Sequence, residues 1–165
     1  LAIAHGYENF EEIIPNVATI AQESPREVIK NKVANLLVGL GFQEAATYNL
    51  SNEDYQSAMM EFSIRPIKLA NAVSLEYNVL RAWLLPSLME ILRYNSHYEY
   101  PQKLFTYGIT FSKDEGADTG IGEKSGLAIV SSSEKADYTQ ARQIVEYILK
   151  AFGAIGAPRL RQLQR

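Results

Sequence analysis

Apolar positions recur with helical spacing in three stretches of this chain and alternate in two others. Ile29, Val33, Leu36, Leu37 and Leu40 fall on one stripe of a helix. Its start is written in Ser24-Pro25-Arg26-Glu27. Ser caps, Pro needs no amide partner in the first turn, and Glu three residues on completes a capping box. Gly41 supplies the left-handed residue that ends it. Val28, Asn31, Asn35 and Val38 form a second, weaker stripe, which fits a partner surface or a loop laid over the helix. A second helix is predicted over 86–95, with Pro86 in its first turn and Leu85, Leu88, Ile91, Leu92 and Asn95 near one face. A last one runs over 138–152. Asp137 caps it with Gln140 in the capping-box position, Ile144, Val145, Ile148, Leu149 and Phe152 line its core face, and Gly153 stops it.

The strongest strand is Lys103–Phe111. Phe105, Tyr107, Ile109 and Phe111 share one face, and Leu104, Thr106, Gly108 and Thr110 the other. The bulky face predicts a cover of helices. The small face leaves room, and Gly108 lets a group approach the backbone closely. Phe42–Leu50 alternates less cleanly and is read as one long strand after the first helix. Asn52 opens a short helix to about Met59. Shorter strands are expected over 66–71, 79–81 and 125–132, with a polar, glycine-bearing loop over 113–124. Strands mixed with helices, without strict βαβ alternation, predict an α+β fold on a mainly antiparallel sheet flanked by helices.

Composition narrows the chemistry. The 165 residues suffice for one domain with a sizeable core. The net charge of −3 provides no global basic field for nucleic acid, and the lack of cysteine removes disulfides and thiolate metal sites. His5 and His97 are the only histidines, and neither has a second ligand at metal spacing. No apolar run is long enough for a bilayer and no signal peptide is visible, which predicts a cytoplasmic protein. Gly116, Gly120 and Gly122 lack a following GK[ST] and stand beside Asp114, Glu115 and Asp118, so a phosphate loop is disfavoured.

The stretch VLRAWLLPSLMEILRYNSHYEYPQKLFTYGITF, Val79–Phe111, resembles one region of the phenylalanyl-tRNA synthetase beta subunit family, in its archaeal and eukaryotic form. Leu80-Arg81 and Leu84-Leu85-Pro86 match that family's pattern, and the order of long helix then strand resembles the first signature motif of class II aminoacyl-tRNA synthetases. The likeness runs from about Leu1 to Gly153. It implies a class II synthetase-like fold, with residues 1–15 as the exit of a preceding domain, 16–153 as the synthetase-like module and 154–165, carrying Arg159, Arg161 and Arg165, as a tail.

The resemblance also implies what is missing. In the family's catalytic partner a strand ends in Phe-Arg-x-Glu, whose Arg grips the ATP α-phosphate. Here Phe111 is kept, Ser112 stands at the Arg position and Asp114 at the Glu position. A serine hydroxyl cannot neutralise a phosphate, so Ser112 and Asp114 are read as a degenerate ATP site and the chain is expected to lack catalysis. An active fragment would need a phosphate-binding Arg on this strand. The implied function is support of an alpha/beta heterotetramer that joins phenylalanine to its tRNA. ATP and magnesium belong to the holoenzyme, no cofactor to this chain, and the editing domain lies upstream. The expected partners are the alpha subunit and, through the holoenzyme, tRNA, with no membrane. The fragment alone is expected to dimerise weakly or to leave the face open. Candidate interface residues are Val28, Asn31, Asn35 and Val38 on the helix, Arg81 and Trp83, and Tyr94 and His97 in a polar-aromatic cluster. The competing reading is a free-standing module that binds a nucleotide or a protein ligand, the nucleotide on the small face around Gly108.

Overall fold

The computed structural model describes residues 2–14, 16, 21–72 and 74–154. The tail from residue 155 lies outside the described residues. A short helix α1 (Ala2–His5) ends at Gly6, and α2 (Pro25–Gly39) is the first long element. The Ser24 hydroxyl accepts from the Glu27 amide at 3.3 Å, and Gly41 takes the left-handed conformation at φ 78°. There follow β1 (Gln43–Glu44), β2 (Leu50–Ser51), α3 (Glu53–Gln56), β3 (Ile67–Lys68), β4 (Val79–Leu80), α4 (Leu85–Tyr94), β5 (Gln102–Lys113), β6 (Ile121–Ser132) and α5 (Tyr138–Ala151).

The strand at 103–111 is central, as its alternation requires. β5 pairs in parallel with β1 on one side and antiparallel with β6 over its whole length on the other. The sheet is therefore mixed, with the parallel part confined to the two residues of β1. β2 and β3 flank β4, both antiparallel. The hairpin is longer than the glycines suggest: β6 begins at Ile121, and the connecting loop shrinks to 114–120. Asp114 closes that loop, its carboxylate accepting from the Gly116 amide at 3.0 Å and its amide donating to the Gly120 carbonyl at 3.0 Å.

The bulky face of β5 is covered as expected. Phe105 packs with Val33 and Leu37 of α2 and with Phe42, and Leu127, Ile129, Ile144 and Ile148 of β6 and α5 close the cluster. Ile29 departs from the predicted stripe and is 45% exposed, because the core stops one turn short of the start of α2. At the other end of the chain, Asp137 caps α5 by accepting from the Gln140 amide at 2.8 Å. α4 packs across the opposite face of β5 and β6, with Leu88 fully buried.

The predicted strand over 42–50 is not one strand. It pairs as β1, leaves the ladder over 45–49 and pairs again as β2. The Arg81 side chain takes up the Thr47 and Tyr48 carbonyls of the released stretch.

Candidate assembly surface

Arg81 is 3% exposed and lies between the 47–49 segment and β5. Its Nε donates to the Ile109 carbonyl at 2.7 Å. Its Nη1 donates to the Thr47 hydroxyl at 2.9 Å and to the Thr47 and Tyr48 carbonyls, each at 3.2 Å. The backbone of the same residue links the two sides, donating to Asn49 at 2.9 Å and accepting from Phe111 at 3.0 Å. Among the described residues no carboxylate forms an ion pair with it, so the charge is held by carbonyl dipoles and the Thr47 hydroxyl. Burial pulls the guanidinium below its ordinary value, but it stays charged at neutral pH.

This arginine is what approaches Gly108. A Cβ on Gly108 would overlap the guanidinium and come within 3.4 Å of Leu84 Cδ2. Gly126 stands directly opposite Gly108 in the ladder, and a Cβ there would meet Leu84 Cδ1 at 3.4 Å. The paired glycines leave a gap on the small face, and Arg81 and Leu84 fill it. The face that sequence left open for a ligand is thus closed by the chain itself.

Arg81, an interface candidate in the sequence, is a buried framework residue in this structure. Trp83 is half-buried and also turned inward: its indole N–H donates to the Gln56 carbonyl at 3.0 Å, and its ring tilts against Phe62 at 5.7 Å. Gln56, which sequence reasoning missed, is fully buried. Its side-chain oxygen accepts from the amides of Ala82 and Trp83 at 2.9 and 3.3 Å, and its Nε2 donates to Ser51 Oγ at 3.1 Å. A lone Gln in a four-residue helix carries no sequence signal for this role.

The remaining candidates are on the surface. Val28 and Val38 are 49% and 59% exposed, and Asn31 and Asn35 are exposed between them. Asn31 donates to Glu23 at 2.6 Å. Two exposed valines and two exposed asparagines thus lie on the back of a helix whose front is core, and no described residue buries the valines. Tyr94 and His97 are exposed at the end of α4, where the His97 ring lies 4.3 Å from that of Tyr98. Ser112 and Asp114 sit exposed at the far end of β5, away from the α2 stripe in sequence, and Asp114 is spent on the turn described above. Among the described residues no group of three His, Cys, Asp or Glu could hold a metal. No helix among them is long and apolar enough to cross a membrane.

A helix-covered, mainly antiparallel sheet with a parallel first strand and one long hairpin is the fold of a class II-type aminoacyl-tRNA synthetase module. Two solved structures of pyrrolysyl-tRNA synthetase from Desulfitobacterium hafniense share it. They superpose with TM-scores of 0.61 and 0.64 at 16% identity, over 78% and 80% of this chain and 45% and 48% of those chains. The particular family follows from sequence: residues 11–165 match the phenylalanyl tRNA synthetase beta chain CLM domain, and the chain belongs to that family. Phenylalanine–tRNA ligase beta subunits of Pyrococcus abyssi and Methanopyrus kandleri are 36% and 31% identical over 92% and 93% of the chain. The chain spans about a quarter of the length of these relatives, 27% and 26%.

Proposed function

We propose that this chain is the non-catalytic, synthetase-like module of a phenylalanine–tRNA ligase beta subunit. It supports assembly of the alpha/beta tetramer that attaches phenylalanine to its tRNA with ATP. The observation that carries the reading is the division of α2. Val33 and Leu37 are consumed by the domain's own core, while Val28 and Val38 stay in water. Apolar area left exposed forgoes roughly 25 cal/mol per Å², which a subunit docked on this stripe would recover. Tyr94 and His97 are assigned to the same role, as polar-tipped aromatics suited to an interface rim.

The Val28→Asp, Val38→Asp double change in the full-length beta subunit tests this. Both side chains are exposed, so the circular dichroism spectrum and melting temperature are expected to stay unchanged. Assembly with alpha, followed by size exclusion with light scattering, is expected to fall at least about tenfold, a difference of roughly 1.4 kcal/mol. Undiminished assembly would place the interface elsewhere, and an unfolded variant would return the valines to the core.

On this reading ATP, magnesium and phenylalanine are handled by the alpha subunit, and this chain takes no cofactor. Ser112 in place of a phosphate-gripping arginine supports it. The beta subunit without alpha is expected to show no phenylalanine-dependent exchange of pyrophosphate into ATP above a protein-free control. Exchange above that background would overturn the assignment. The competing nucleotide-binding module would need space around Gly108, and Arg81 and Leu84 occupy that space.

A further inference from the structure

A cleft of about 370 Å³ opens between the 46–52 segment, the 76–77 loop and the outer side of α4. Four tyrosines, Tyr48, Tyr55, Tyr77 and Tyr94, and two carboxylates, Glu76 and Glu90, line it. It lies away from both the α2 stripe and the end of β5. We propose that this cleft is a binding site for an organic cation, a guanidinium or alkylammonium group.

The walls are built for that chemistry. Tyr48 and Tyr77 of the lining meet edge to face at 5.9 Å, and tyrosine ring faces carry the negative quadrupole that attracts cations. The loop that carries Glu76 and Tyr77 is fastened on both sides. The Glu76 amide donates to Ser74 Oγ at 3.0 Å, Asn52 Nδ2 donates to the Leu75 carbonyl at 3.3 Å, and Asn78 Oδ1 accepts from the Glu53 amide at 3.1 Å. The backbone that carries Glu76 is therefore fixed beside the cleft. Among the described residues neither has a basic nitrogen within 4.0 Å. Burial pushes the Glu90 carboxyl above its usual range; Arg93 pulls against this and Glu76 adds to it. A cation seated between the carboxylates and against the rings would relieve that repulsion. It would also gain cation–π attraction, which strengthens as water leaves. An anion would meet two like charges, and a neutral apolar group would leave both carboxylates unpaired.

Saturation-transfer NMR with propylguanidinium, against the neutral isostere propylurea, tests this on the full-length beta subunit. Saturable transfer is expected for propylguanidinium alone. Glu90→Gln is expected to weaken it at least about tenfold, and Tyr94→Ala, a change on the exposed rim, at least about threefold, with unchanged circular dichroism. If Glu90→Gln fails to fold, the Tyr94→Ala comparison decides. Repeating the titration on the assembled alpha/beta enzyme separates the sources of the cation. Lost binding means a basic side chain of the partner fills the cleft, and retained binding means a free small molecule does. Transfer that does not saturate, equals that of propylurea, or persists undiminished in the variants overturns the proposal. None of the outcomes on the beta subunit alone depends on whether α2 serves assembly.

Discussion

Arg81→Met is expected to destabilise the domain by about 3–5 kcal/mol, since each buried carbonyl left without a donor costs roughly 1–3 kcal/mol. The change deletes the donors to the part-buried Ile109, Thr47 and Tyr48 carbonyls, which the Arg81 side chain, itself 3% exposed, now satisfies. Against a total stability of order 5–15 kcal/mol, that loss takes much of the margin. Methionine fills most of the volume, so the effect isolates the hydrogen bonds from the packing. Arg81→Lys is expected to recover little. The 47–48 carbonyls and the Ile109 carbonyl lie on different sides of the guanidinium, and a single ammonium has no planar fork to span them. Urea denaturation followed by circular dichroism measures both. A loss under about 1 kcal/mol for Arg81→Met, less than one orphaned carbonyl would cost, would mean that the 45–49 segment rejoins the ladder when the arginine is gone.

Gln56→Leu is the next largest. It keeps the bulk and removes the acceptor of the Ala82 and Trp83 amides and the donor to Ser51. We expect a loss of about 2–4 kcal/mol from the orphaned amides. A change in near-UV circular dichroism should accompany it, because Trp83 is held through its own amide and its indole by the same residue. The α4 entrance would loosen with it, since Leu84 follows directly and fills the glycine gap. An unaltered tryptophan signal would show that the indole is held by Phe62 and the Gln56 carbonyl alone.

Both residues show where reading the chain stops working. Leu80-Arg81 stood out because it matched a family pattern, and the match pointed to the surface. In fact the partners of Arg81 lie 28 to 34 residues away, and none is charged. Gln56 matched nothing. The strand over 42–50 was read from imperfect alternation, and the imperfection was real: the backbone there is bent toward a side chain that the local sequence does not contain. Ser112 and Asp114 illustrate the opposite case. That a hydroxyl and not a cation stands at position 112 is legible from residue type alone, because no placement turns a serine into a cation.

What was local was determined by the chain's own order. Ser24, Pro25 and Glu27 start a helix, Asp137 and Gln140 start another, and Gly41 and Gly153 end them, each within a single turn of backbone. The alternation of β5 required a central strand with one covered face, since four bulky side chains on one side cannot be left in water. Tertiary structure alone decided the rest. It set where the core of α2 stops, taking Val33 and Leu37 and leaving Ile29 45% exposed. It also brought Gly108 opposite Gly126 and sent Arg81 into the gap. A register pairing and a buried charge are settled by groups distant in sequence. Their energies exist only once the chain has closed around them.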